Sequence, residues 1–237
     1  MYDRSRLVRE LVAQTRRRSM PDVAHLATYQ DVAWGPIQAD EALLLHGLVR
    51  TVRPATVVEI GFFEGHSALN FLLALDEDAR LYSFDVDPRC EQIARERFGH
   101  DERFTFLCKS QTELIPSDIE GRGAEFVFLD ASHDLDLNQA TFERLLPMLA
   151  PRAIIGVHDT GTWPRDLVPS KHWWHMTDEG WVDDEREVKP DEREFMNWVL
   201  ERYPGFSQLH LHSQRTARYG ISLLQRAGPL PRPHRDD

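Results

Sequence analysis

The stretch from Thr56 to Ser67, T-V-V-E-I-G-F-F-E-G-H-S, constrains the fold of this chain more than any other. An apolar run passes through Glu59 and stops at Gly61. Gly65 follows, and then a helical pattern, Ser67-Ala68-Leu69-Asn70-Phe71-Leu72-Leu73. This reads as a buried parallel strand, a tight glycine turn and a helix N-terminus, a junction that brings backbone N–H groups close to a ligand with no side chain between. A second acid, Asp85, ends the next strand-like run, Arg80 to Asp85. A glycine turn followed about twenty residues on by an acid is how a doubly wound sheet holds the ribose of an adenosine-type cofactor.

The glycine spacing bears on which cofactor. A dinucleotide turn needs three glycines, G-x-G-x-x-G, to admit a pyrophosphate. Here Phe63 stands at the middle position, so the turn offers no bare run of amides for phosphates. Glu59, just before the turn, suits a cofactor with a cationic end. S-adenosylmethionine carries an ammonium and a sulfonium and no phosphate. Taken alone, the motif also admits a turn that only closes a strand–helix corner.

From Glu59 to Asp159 the chain resembles the class I S-adenosylmethionine-dependent methyltransferases. Within them it is most similar to the metal-dependent O-methyltransferases of the catechol and macrolide-sugar types. E-I-G-x-x-x-G-x-S matches their first motif. The segments S-F-D-V-D-P, L-C-K-S-Q, F-V-F-L-D-A-S-H and I-I-G-V-H-D-T follow in the family's order. The resemblance implies that the Gly61 backbone and the Ser67 hydroxyl hold the methionine end of the cofactor. It implies that Asp85 binds the ribose and that Ser110 and Gln111 meet the adenine. With Glu59, Phe63, Gly65 and Asp130, these make the expected cofactor surface. Residues 1–50 and 160–237 match the family much less well.

Outside that block the patterns predict a polar helix over 3–18, a loop from Met20 to Pro36, and a helix over Asp40 to Val52 ended by Pro54. Strands are then expected near 55–60, 80–85, 103–108, 124–130 and 152–158, with helices near 65–75, 88–98 and 136–149. Alternation of this kind, with apolar strands, predicts an α/β fold, a doubly wound and mostly parallel sheet with helices on both faces. Pro164 to Pro190 reads as irregular and aromatic, and Asp191 to Arg202 as an amphipathic helix. Gln208–His212 and Tyr219–Gln225 read as two further strands, which bring the sheet to seven with an antiparallel last strand, as the family closes its sheet. We expect one domain over 1–227, comprising N-terminal helices or a lid over 1–53 and a substrate loop over 161–190. A disordered tail is expected over 228–237.

The chemistry gathers at strand ends. Ligands of an open parallel sheet bind beyond the carboxyl ends of its strands, so Asp130, His158 and Asp159 should face the crevice that holds Gly61 and Asp85. Two carboxylates and an imidazole can bind one divalent ion, Mg²⁺ or Mn²⁺ by donor type. The resemblance implies Asp…Asp-Asn or Asp…Glu-Asp at these places, so His158 is a departure: it is a ligand or it supports one. His133 lies at the offset from Asp130 where the family carries its general base, and imidazole accepts a proton near neutral pH. The bland alternatives are a capping role for Asp130 and a surface or capping role for His133. Asp134 and Asp136 are better helix caps, and Asp87 before Pro88 caps a third helix.

Substrate contacts are expected in loops. Trp163, Lys171, His172, Trp173, Trp174, His175, Met176 and Trp181 suit stacking on a ring, or packing of the loop and a subunit contact. A net charge of -11 without a dense basic block speaks against nucleic acid. Cys90 and Cys108 form no disulfide framework and read as reduced, half-buried thiols. The basic N-terminus has no apolar run behind it, and no stretch reaches membrane-spanning length, so a cytoplasmic protein is expected, and a homo-oligomer is compatible with the sequence. The reading is a metal-assisted O-methyltransferase acting on a small hydroxylated molecule, a sugar-bearing secondary metabolite first and a catechol-like phenol second. Its rivals are a metal-free or nitrogen-directed methyltransferase, a nicotinamide-dependent oxidoreductase and a non-catalytic cofactor-binding protein.

Overall fold

The computed structural model describes residues 23–29, 37–160, 173–177, 180–184, 192–211 and 220–226. The helix expected over 3–18, most of the substrate loop and the tail over 228–237 lie outside the described residues.

Seven strands form one sheet. They are β1 (Thr56–Ile60), β2 (Arg80–Asp85), β3 (Phe104–Cys108), β4 (Ala124–Leu129), β5 (Leu149–His158), β8 (Phe206–Leu211) and β9 (Ile221–Arg226), in the order β3-β2-β1-β4-β5-β9-β8. The first five pair parallel, while β9 runs antiparallel between β5 and β8. The sequence expectation holds for the sheet, its hand of pairing and its antiparallel closing strand.

Five α-helices are described: α1 (Ala39–Val52), α2 (His66–Ala74), α3 (Pro88–Phe98), α4 (Leu135–Leu145) and α5 (Glu192–Arg202). Their ends follow from capping chemistry. Asp87 accepts the Arg89 amide ahead of Pro88, and Asp134 accepts the Leu137 amide at 2.8 Å. Arg53 turns into the left-handed region to end α1 just before Pro54.

The strands bury both faces. Along β1 and β4, Val57, Phe126 and Phe128 enter one core layer, with Leu45 and Val49 of α1, Phe71 of α2 and Phe98 of α3. Val58, Ile60, Val127 and Leu129 enter the other, with Phe142 of α4 and Phe195 and Val199 of α5. This period of two between two apolar layers is why the strands read as unbroken apolar runs. Phe142 is fully buried and its ring meets Phe195, Trp198, Tyr203 and Phe206. That cluster docks α5 onto α4, and truncating Phe142 to alanine would cost about 3–5 kcal/mol.

Three details differ from expectation. Residues 173–177 and 180–184 are not irregular: β6 (Trp173–Thr177) and β7 (Gly180–Asp184) pair antiparallel in a separate two-stranded sheet. The aromatic run has the β propensity for this, and the prolines around it masked the pattern. A 3₁₀ turn over Ala24–Thr28 interrupts the expected loop. Cys108 is exposed rather than half-buried. No helix among the described residues is long and apolar enough to cross a membrane.

Candidate active site

The order reverses at β1, which has β2 on one side and β4 on the other, and the expected site residues gather at the carboxyl ends around this point. The chain leaves β1 through Gly61 with φ +100. A Cβ built on Gly61 would stand 2.2 Å from the Asp130 carbonyl oxygen, so only glycine lets the turn lie against β4. Phe63 also takes a left-handed φ, of 48, with its ring half exposed, and Gly65 follows at +73.

Asp85 ties this turn from β2. Its Oδ2 accepts the Phe62 amide at 3.0 Å and the Phe63 amide at 2.9 Å, and its Oδ1 accepts the Asp87 amide at 3.0 Å. Asp85 therefore shapes the turn. Glu59 is fully buried in β1 and accepts the Ser83 hydroxyl. Burial pushes its carboxyl up to about 8, against the pull of Ser67 and Ser83. Its Oε1 has no hydrogen-bond partner, and neither has the buried Nε2 of Gln111. Ser110 caps the short turn that begins at Gln111 by accepting the Thr112 amide.

A second group of side chains adjoins the turn. Asp130 follows β4, and His158 and Asp159 end β5. His158 is buried, with Nδ1 at 3.0 Å from Asp130 Oδ1 and 3.3 Å from Asp159 Oδ1. Its Nε2 donates to Glu41 Oε2 of α1 at 3.1 Å. His133 stands beyond Asp159, with Nε2 at 3.5 Å from Asp159 Oδ2, and its Nδ1 bonds Glu192 at the start of α5.

The charges follow from this packing. Burial drives both imidazoles toward the neutral form, but the surrounding acids win. His133 rises to about 9 through its Glu192 bond with Asp159 and Asp130 nearby, and His158 rises well above its usual range through Asp130 and Asp159. Burial raises the carboxyls of Asp130 and Glu192. For Asp159 the two histidines outweigh burial, and its carboxyl is held below the usual range.

The comparisons fit this geometry. A protein-family profile described as a methyltransferase domain matches residues 58–160. Tapetum-specific methyltransferase 1 of Arabidopsis thaliana is 26% identical over 140 residues, which are 58% of this chain and 60% of that protein. Caffeoyl-CoA O-methyltransferase 2 of Zea mays is 28% identical over 137 residues, 55% of this chain and 51% of that one. The chain thus spans less than two thirds of the length of these curated relatives. The crystal structure of TomG in complex with S-adenosylmethionine superposes with a TM-score of 0.61 at 22% identity, covering 81% of this chain and 82% of that one. TomG is an O-methyltransferase from Streptomyces achromogenes involved in tomaymycin synthesis. Residues 58–160 thus match a methyltransferase domain, on a fold shared with an O-methyltransferase solved in complex with S-adenosylmethionine.

The residues named from the sequence for cofactor, metal and base are all described, whereas Trp163, Lys171 and His172 of the expected substrate loop lie outside the described residues, and the acids and histidines that follow strands β4 and β5 do come together. Asp130, His158 and Asp159 each offer one donor atom within 4.8 Å of the others. Sequence reasoning missed two members, Glu41 and Glu192. Each lies in the first turn of its helix, where an acid is expected for the helix dipole alone. Only burial distinguishes them: Glu41 is 7% and Glu192 2% exposed. The Gln38-x-x-Glu41 spacing of a capping box marks the first, and the Gln38 amide does donate to Glu41 Oε2 at 3.0 Å.

The donor set suits a divalent ion. Glu41, Asp130, Asp159 and Glu192 surround His133 and His158, so full ionisation leaves two negative charges even with both imidazoles protonated. The buried Oε1 of Glu41 and Oε2 of Glu192 also have no hydrogen-bond partner. A buried carboxylate oxygen without a partner is costly, and a cation answers both features.

Proposed function

We propose that this methyltransferase transfers a methyl group to a hydroxyl of a small molecule, assisted by a divalent ion, with His133 as the general base. The observation that carries the reading is the adjacency of two groups. The glycine turn at Gly61 lies against the Asp130 backbone, and Asp130 leads through His158 and Asp159 to His133.

Each residue has a defined task. The turn and the Ser67 hydroxyl take the methionine end of the cofactor, and Glu59 faces its ammonium with a buried carboxylate. Asp85 keeps accepting capacity for ribose hydroxyls while it holds the turn. Gln111, whose Nε2 donor has no partner, would meet the adenine beside Ser110. Asp130, His158 and Asp159 hold the ion. When bound, that ion supplies Lewis acidity, lowering the pKa of a substrate hydroxyl and offsetting the acidic charge that raises His133. The cofactor supplies a methyl on a positive sulfur, which passes to the substrate oxygen in one displacement. The oxygen pair forms the new C–O bond, the C–S pair returns to sulfur as a neutral thioether, and the hydroxyl proton goes to His133. Glu192 fixes one nitrogen of that imidazole, which leaves Nε2 on the side of Asp159 for the proton of the acceptor.

The acceptor we favour is a phenol with two neighbouring oxygens, supported by the names of the caffeoyl-CoA relatives. A hydroxylated sugar of a secondary metabolite is the second choice. The test is a panel of vicinal phenols and sugar-bearing acceptors incubated with S-adenosylmethionine and a divalent ion. Product from either class supports O-methyl transfer, and methylation confined to amines would overturn it.

A further inference from the structure

We propose that Glu41 orients His158 as a metal ligand through Nδ1, so that Asp130, His158 and Asp159 select a manganese-type ion over magnesium. This rests on the metal-assisted reading above and goes beyond it by assigning His158 a role and the site a preference.

The ring of His158 has little freedom. Its Nε2 is committed to Glu41 Oε2 at 3.1 Å, and that oxygen is pinned from behind by the Gln38 amide at 3.0 Å. Helix α1 is itself fixed by Leu45 and Val49 in the core and by the Asn70 side-chain amide, which donates to the Ala42 carbonyl at 2.9 Å. Nδ1 is left facing the two strand-end acids, 3.0 Å from Asp130 Oδ1 and 3.3 Å from Asp159 Oδ1. Adjacent ligands of a six-coordinate ion with bonds of about 2.1–2.2 Å are themselves about 3.0–3.1 Å apart. Asp159 Oδ1 is also buried, on a residue only 8% exposed, with the His158 imidazole as its ion-pair partner. A buried carboxylate so placed has a cation as its natural complement.

The donor types decide the preference. Carboxylates alone suit Mg²⁺, which binds nitrogen poorly, whereas an imidazole shifts affinity toward Mn²⁺ or Fe²⁺. A carboxylate on the far nitrogen of a ligating histidine fixes its tautomer and raises its basicity. Loss of such a partner typically weakens metal binding by about 10–100-fold.

The test is an electron paramagnetic resonance titration of the metal-stripped full chain with Mn²⁺, alone and against Mg²⁺. Electron spin-echo measurements would detect an imidazole nitrogen on the bound ion. Wild type should bind Mn²⁺ about tenfold or more tighter than Mg²⁺ and show the nitrogen coupling, which His158→Asn should abolish. Glu41→Leu should weaken Mn²⁺ by about 10–100-fold with cofactor affinity unchanged. Glu41→Gln keeps an acceptor oxygen for Gln38 and His158, so it should fold as wild type does and lose less. Tight Mn²⁺ binding without nitrogen coupling, or equal affinity for the two ions, would overturn the assignment of His158 and leave metal assistance standing. Failure of folded wild type to bind either ion would overturn both.

Discussion

Glu59→Gln isolates a buried charge. Burial pushes the Glu59 carboxyl, ordinarily 4.5, up to about 8. The folded protein therefore keeps a proton that the unfolded chain releases above about 4.5. By linkage, its contribution to stability is complete below the unfolded value, falls as pH rises through the interval, and levels off above about 8. The slope approaches 1.4 kcal/mol per pH unit. Across the interval the loss reaches about 5 kcal/mol as an upper bound, and a few kcal/mol after relaxation of the site. Glutamine fills the same volume, can accept the Ser83 hydroxyl and cannot ionise. Urea unfolding of wild type and variant at pH 5, 6, 7 and 8 measures the difference, in which all other titrating groups cancel. The variant should gain on wild type steadily from pH 5 to pH 8, by about 2–3.5 kcal/mol in all. A stability difference independent of pH would refute the reasoning. The same substitution removes the counter-charge for the cofactor ammonium, so the more stable protein should bind S-adenosylmethionine less tightly.

Asp85→Ala should cut cofactor affinity by at least about 100-fold by calorimetry, since each bond to a charged acceptor contributes about 1.5–3 kcal/mol and the turn amides lose their anchor as well. Gly61→Ala should destabilise the fold and abolish cofactor binding, because its Cβ would meet the Asp130 backbone at 2.2 Å, and a thermal midpoint within error of wild type would contradict this. His133→Ala should lower turnover by about 10²–10⁴ with cofactor affinity retained. Glu192→Gln should lower kcat with little change in KM and have almost no further effect when added to His133→Ala, and additive losses would show that Glu192 acts elsewhere.

The parts of this fold legible in the sequence were those with a local signature. Phe126 to Leu129 and Ile154 to Val157 are apolar on both sides because both faces of their strands are covered, and Gly61 and Gly65 mark a turn that needs positive φ. Asp130, His158 and Asp159 could be brought together because parallel strands end on one edge. Glu41 and Glu192 could not, since each sits on a helix whose approach to that edge depends on tertiary packing, α1 over Phe71 and α5 over Phe142. The pairing of β6 with β7 was hidden by prolines and charges that suit a loop equally well. The double role of Asp85 was hidden for another reason: a carboxylate that binds a ribose and one that binds a turn look the same in sequence.

The central claim is tested most directly by following methyl-labelled S-adenosylmethionine into a vicinal phenol by mass spectrometry, with metal-stripped protein, with the same protein after Mn²⁺ or Mg²⁺ is restored, and with His133→Ala. The account predicts O-methylated product only from the metal-replete wild type, and loss of about 10²–10⁴ of that rate in the variant. Undiminished methylation by metal-stripped protein, or by His133→Ala, would contradict it.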